Sequence, residues 1–91
     1  MDDFLSDETL FDFPCDFPLK VMGRADTTLA ETVITIVQKH APDFVAADLS
    51  SRVSSKGNYL SLNCKIRATS LAQLNDLYHE LVACPLVKVV L

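Results

Sequence analysis

No apolar run in the chain approaches the roughly 18 to 20 residues that a bilayer-spanning helix needs. The first residues are acidic, where a secretory signal would carry bases followed by an apolar stretch. The expected location is therefore the cytoplasm, away from the membrane. Cys15, Cys64 and Cys84 form no CxxC pair, and only His40 and His79 could assist them. An odd cysteine count without an export signal argues against a disulfide framework, and the spacing fits no zinc motif. The three read as small hydrophobes or surface thiols. A Gly-rich phosphate loop, an HExxH pair and a calcium loop are all absent. Ser54-Ser55-Lys56 supplies no nucleophile, since nothing around it suggests an oxyanion hole or a buried lysine. His40 has no carboxylate or serine spaced to orient it, and His79 falls on the polar face of its helix, where exposure is expected. These absences point away from an enzyme, a metal site or a cofactor.

What is present fits one small domain. At 91 residues, with 49% of them apolar, the chain can bury a single core and no second one. Its net charge of −4 is unevenly spread. Asp2, Asp3, Asp7, Glu8, Asp12 and Asp16 all precede residue 17, whereas every Lys and Arg follows it. Residues 1–14 therefore read as an acidic solvating tail, with at most one amphipathic turn over 7–13, and residues 15–91 as a mildly basic domain.

Within that domain the period of apolar residues alternates between two and 3.6. Phe17, Leu19 and Val21 mark a first strand over 16–22, closed by Gly23. Thr28 with Glu31 reads as a capping box, with Asp26 and Thr27 as alternative caps. A helix then runs to His40, its apolar arc formed by Leu29, Ala30, Val33, Ile34, Ile36 and Val37. Pro42 ends it. A second strand is expected over 45–54, with Val45, Ala47, Leu49 and Val53 on one face. A turn at 55–58 follows, where Gly57 supplies positive φ. A third strand over 59–68 turns Leu60, Leu62, Cys64 and Ile66 inward. Ser70 with Gln73 is a second capping box, opening a helix over 71–82 whose stripe is Leu71, Leu74, Leu77, Tyr78, Leu81 and Val82. A last strand should face Val87, Val89 and Leu91 inward. The order β-α-β-β-α-β, with one apolar face per element, implies a ferredoxin-like α+β sandwich. Two helices cover one face of an antiparallel sheet of strand order 4-1-3-2.

Several segments carry a family resemblance: Phe17-Pro18 with Lys20-Val21-Met22-Gly23, then His40-Ala41-Pro42, and Ser54-Ser55-Lys56-Gly57-Asn58-Tyr59. Leu77-Tyr78-His79-Glu80-Leu81 and Val87-Lys88-Val89-Val90-Leu91 continue it. In this order and spacing the chain resembles the YbeD-like family of small bacterial proteins of unassigned function. The resemblance implies a fold similar to ACT-type regulatory domains, which bind small effectors at subunit contacts. It implies no activity. The long acidic tail and Asp43-Phe44 depart from the pattern.

Two candidate sites follow. The expected strand order brings Gly23, Arg24, Thr27 and Thr28 towards Lys56, Gly57 and Asn58, beside a helix N-terminus whose unpaired N–H groups favour an anion. The plain alternative is a cap and a glycine turn. The outer sheet face gathers Lys20, Arg52, Tyr59, Lys65, Arg67 and Lys88. An RNA reader of this fold would stack bases on central aromatics, where this chain has Lys20, Met22, Ser61 and Asn63. Three functions stay open: a regulatory module sensing a small effector or docking on a partner protein, as a homodimer or on an enzyme; an adaptor without small ligand; and a weak single-stranded RNA binder.

Overall fold

Ten residues of sustained apolar–polar alternation make β3 (Tyr59–Ala68), the backbone of the sheet. It pairs antiparallel along its whole length with β1 (Cys15–Arg24), from Cys15↔Ala68 to Arg24↔Tyr59. A computed structural model describes residues 12–91; the acidic residues 2, 3, 7 and 8 and most of the turn considered for 7–13 lie outside them. Two shorter strands flank the central ribbon, β2 (Ser50–Val53) on β3 and β4 (Val87–Val90) on β1. The order β2-β3-β1-β4 is the expected 4-1-3-2, read from the other edge.

Helices α1 (Leu29–His40) and α2 (Leu71–Ala83) cover one face. Leu19, Val21, Leu62 and Ile66 from the sheet meet Leu29, Val33, Val37, Leu74, Leu77 and Leu81 from the helices in one buried cluster. Each such fully buried side chain is worth about 1.5–3 kcal/mol against exposure. Phe17 meets Tyr78 edge-on, ring centroids 6.3 Å apart. This is a ferredoxin-like α+β fold.

Four local expectations are corrected. Residues 45–54 are not one strand: Ala46–Asp48 form a 3-10 turn, closed by Asp48 N–H to Val45 O and Leu49 N–H to Ala46 O. Alanine and aspartate favour strands poorly, and the turn satisfies the Asp48 and Leu49 N–H groups locally. Phe44, 5% exposed, fills the core instead, while Val45 and Val53 are more than half exposed. Second, β4 is irregular. Its register on β1 runs Gly23↔Val87, Met22↔Val89, Val21↔Val90, with a shift between Met22 and Gly23. The extra residue reverses the alternation, so Val90 packs on the core while Val89 and Leu91 are exposed.

Third, Thr28 stands at the N-cap position of α1 without a side-chain cap bond. Asp26 Oδ1 instead accepts from the Thr28 N–H at 2.7 Å and its hydroxyl at 2.6 Å. Ser70, by contrast, caps α2 as expected, its Oγ accepting from the Gln73 N–H at 3.0 Å. The return arm of that box slips by one residue, Gln73 Oε1 accepting from the Thr69 N–H at 2.7 Å. Fourth, on α2 Val82 is exposed and Asn75 buried, because the packed stripe is narrower on one side and wider on the other than the helical wheel suggests. His79 is half-buried rather than exposed.

Candidate functional site

Among the described residues, the helices leave the second face of the sheet uncovered. Partners in antiparallel register share a face, so pairing lays out the side chains there row by row. Lys20 and Leu91 exchange two backbone bonds, of 3.2 and 2.8 Å. Lys20 stands opposite Asn63, and Asn63 opposite Ser50. Leu91, Lys20, Asn63 and Ser50 therefore form one row across all four strands. The neighbouring row holds Pro18 opposite Lys65, with Asp48 just before β2. Between these rows lies an open trough of about 540 Å³. Its floor is the backbone at Leu19 and Cys64, whose side chains point into the core. Burial pushes the Cys64 thiol up to about 11, so it offers the trough no nucleophile.

A second concavity, of about 400 Å³, lies further along the same face and is lined by Met22, Arg52, Ser61 and Tyr59 with the start of the hairpin loop. Of the sheet residues singled out from the sequence, Lys20 and Lys65 line the first trough and Arg52 and Tyr59 the second. Arg67 faces Asp16 across the strands at 3.7 Å. Lys88 is exposed at the β4 irregularity. Asp48, Ser50, Pro18 and Leu91 were not singled out. Pro18 reaches the trough through the β1–β3 pairing, and the shortened β2 and shifted β4 bring Asp48, Ser50 and Leu91 to it.

The loop residues come together as the topology requires. Ala25 N–H donates to Asn58 O at 3.0 Å, tying the start of α1 to the hairpin. Arg24, Thr27, Thr28, Lys56, Gly57 and Asn58 are exposed there, and Gly23 is buried behind them. Gly57 has φ of 76°. None of these seven residues lines either concavity. The start of α1 also holds its own anion: the Thr28 hydroxyl, then its N–H, keep the Asp26 carboxyl below the usual range. A further anion would have to displace or neighbour that carboxylate.

On the helical side, a polar clasp joins the C-terminal end of α1 to α2. His40 Nε2 lies 2.8 Å from Glu80 Oε1, Lys39 Nζ lies 3.2 Å from the same oxygen, and Gln73 Nε2 donates to His40 O at 2.9 Å. The bond to His40, then that to Lys39, holds the Glu80 carboxyl below the usual glutamate range. Sequence spacing missed this pair, because its members lie 40 residues apart. The Lys39 ammonium in the last turn of α1 also complements its terminal carbonyls. Among the described residues no group of three His, Cys, Asp or Glu gathers to hold a metal ion, and no helix is long and apolar enough to cross a membrane.

The comparisons agree along nearly the whole chain. Residues 8–91 match the family described as "Protein of unknown function (DUF493)". A "UPF0250 protein" of Paraburkholderia phytofirmans is 48% identical over 84 residues, covering 92% of this chain and 94% of that protein. One from Nitrosomonas europaea is 44% identical over 87 residues, covering 96% and 100%. One from Shewanella woodyi is 47% identical over 85 residues, covering 92% and 93%. By family match and by these relatives alike, the chain belongs to the DUF493/UPF0250 family of small bacterial proteins of unknown function.

Proposed function

We propose that this chain is a non-enzymatic docking module of the cytoplasm, whose binding surface is the uncovered face of its sheet. One observation carries the reading: both surface concavities described above lie on that face, and Lys20, Lys65 and Arg52 line them. A sheet covered on one side only must keep the other side soluble or give it a partner. The same residues argue against RNA, because Lys20, Met22, Ser61 and Asn63 occupy the central places where bases would stack. A small effector at the start of α1 is the weaker reading, since Asp26 already occupies that helix end. The resemblance to YbeD-like proteins, and through their fold to ACT-type domains, adds a regulatory reading to that docking. Fold alone does not assign it.

The test compares proteins retained by the immobilised wild-type chain with those retained by two charge-reversed variants. Partners of the sheet face should be lost from the K20E/R52E/K65E variant and kept by the R24E/K56E variant. The opposite pattern would transfer the binding surface to the loops around the start of α1.

A further inference from the structure

We infer that the Lys20–Lys65 trough is a subsite for an acidic peptide segment of a partner protein, one that presents two carboxylates on alternate residues of an extended chain. The inference rests on the docking-module reading and adds the chemistry of the partner to it. The geometry points there in three steps.

Lys20 pairs with Asn63, and Lys65 lies two residues further along β3. Such diagonal neighbours are rooted about 7–8 Å apart on one sheet face. Alternate residues of an extended peptide are separated by roughly 6.6–6.8 Å. A segment laid along that diagonal, obliquely across the trough, can therefore set a carboxylate on each lysine.

The trough also has the dimensions of a peptide. It spans from Leu91, just past β4, to Ser50 on β2. Four strands at a spacing of about 4.8 Å make that roughly 14 Å, the length of four to five extended residues. A small dianion could reach both lysines, yet it would leave most of this open floor wet, whereas small-molecule sites enclose most of their ligand. Asn63 and Ser50 supply neutral donors and acceptors for a peptide backbone, and Pro18 and Leu91 supply apolar contact at the other end.

Charge gives the segment a direction. Lys20 and Lys65 sit over the central strands, and Asp48 stands at the β2 mouth. A third carboxylate is repelled there, so the acidic pair must lie over β1 and β3 with a hydroxyl or basic residue at the β2 end.

The experiment titrates a capped Ala-Glu-Ala-Glu-Ala peptide, its glutamine counterpart and succinate into the isotope-labelled full-length protein, read through backbone amide shifts. The glutamate peptide should move the amides of Leu19, Lys20, Asn63 and Lys65 saturably and bind about tenfold more tightly than either control. K20A and K65A should each weaken it by about 1.5- to fivefold, the range of an exposed charge pair, with melting temperature unchanged. Equal binding of the glutamine peptide or of succinate overturns the proposal, as does indifference to both lysine substitutions. The chain's own acidic segment is a rival occupant. If neutralising it (D2N, D3N, D7N, E8Q) shifts the Lys20 and Lys65 amides with no peptide added, a partner's segment is not the resident ligand. Shifts confined to Met22, Arg52 and Tyr59 would overturn the trough assignment and leave the docking face standing. Partners insensitive to K20E/R52E/K65E would instead remove the docking face itself.

Discussion

The chain has two glycines, and the structure uses them for opposite reasons. At Gly23 the conformation is ordinary and space is missing. A Cβ there would collide with the Leu86 carbonyl oxygen and stand 3.0 and 3.2 Å from the two δ-methyls of Leu29. Leu29 is fully buried and has little room to turn, and the carbonyl belongs to the backbone just ahead of β4. Relief therefore requires β4 to move off β1. That strains the two Lys20–Leu91 backbone bonds, each worth about 1 kcal/mol net, and partly exposes Val87. Together these give about 3 kcal/mol for G23A, at the upper end of ordinary overpacking. In a domain this small the melting temperature should fall by roughly 12–24 °C. At Gly57 space is free and the conformation is special. Nothing lies within 4 Å of a Cβ, but φ is +76°. G57A should then cost only the left-handed penalty, about 1–2 kcal/mol, or roughly 4–16 °C. Urea and thermal unfolding of both variants by circular dichroism provide the comparison. If G23A is no more destabilised than G57A, the close approach of β4 is not what holds glycine at residue 23.

The His40–Glu80 clasp should give the protein an acid limb of stability. Glu80 titrates below its unfolded value, so its contribution is complete above the ordinary glutamate range and is lost as pH falls through the lowered value. Unfolding measured as a function of pH should show that limb flattened in E80Q, and an unchanged limb would refute the link. Cys64, buried and with its thiol pushed up to about 11, should resist iodoacetamide in the native protein while the half-buried Cys15 and Cys84 react. Peptide mass spectrometry showing equal labelling of all three would contradict this. S70A should cost about 1 kcal/mol, since the Ser70 hydroxyl accepts the Gln73 N–H at the start of α2. T28A should leave that end of α1 capped by the bond from its N–H to Asp26. Chemical denaturation should rank S70A below T28A.

The long elements were legible because their signal is local. β3 needs only its own alternation, and both helices declare an apolar stripe within a dozen residues. The strand order followed from chirality and the two-layer rule. Where two segments compete for one place in the core, the sequence was silent. Phe44 rather than Val45 or Ala47 fills the space beside α1, so β2 begins only at Ser50. At the other edge, the shift at Gly23 reverses the faces of Val89 and Val90.

The candidate site divides the same way. That Lys20, Lys65 and Arg52 share an outer face was readable from period two. That Lys20 and Lys65 flank one open trough, lined at its ends by Leu91, Ser50 and Asp48, depends on where β2 and β4 stop. The meeting of His40 with Glu80 depends on how α1 and α2 cross. Covalent order thus determined which residues each element turns to water and which to the core, because that choice follows from backbone periodicity and transfer free energy alone. Tertiary structure decided which outward residues become neighbours, because only the packing of distant segments sets strand ends, register and helix contact.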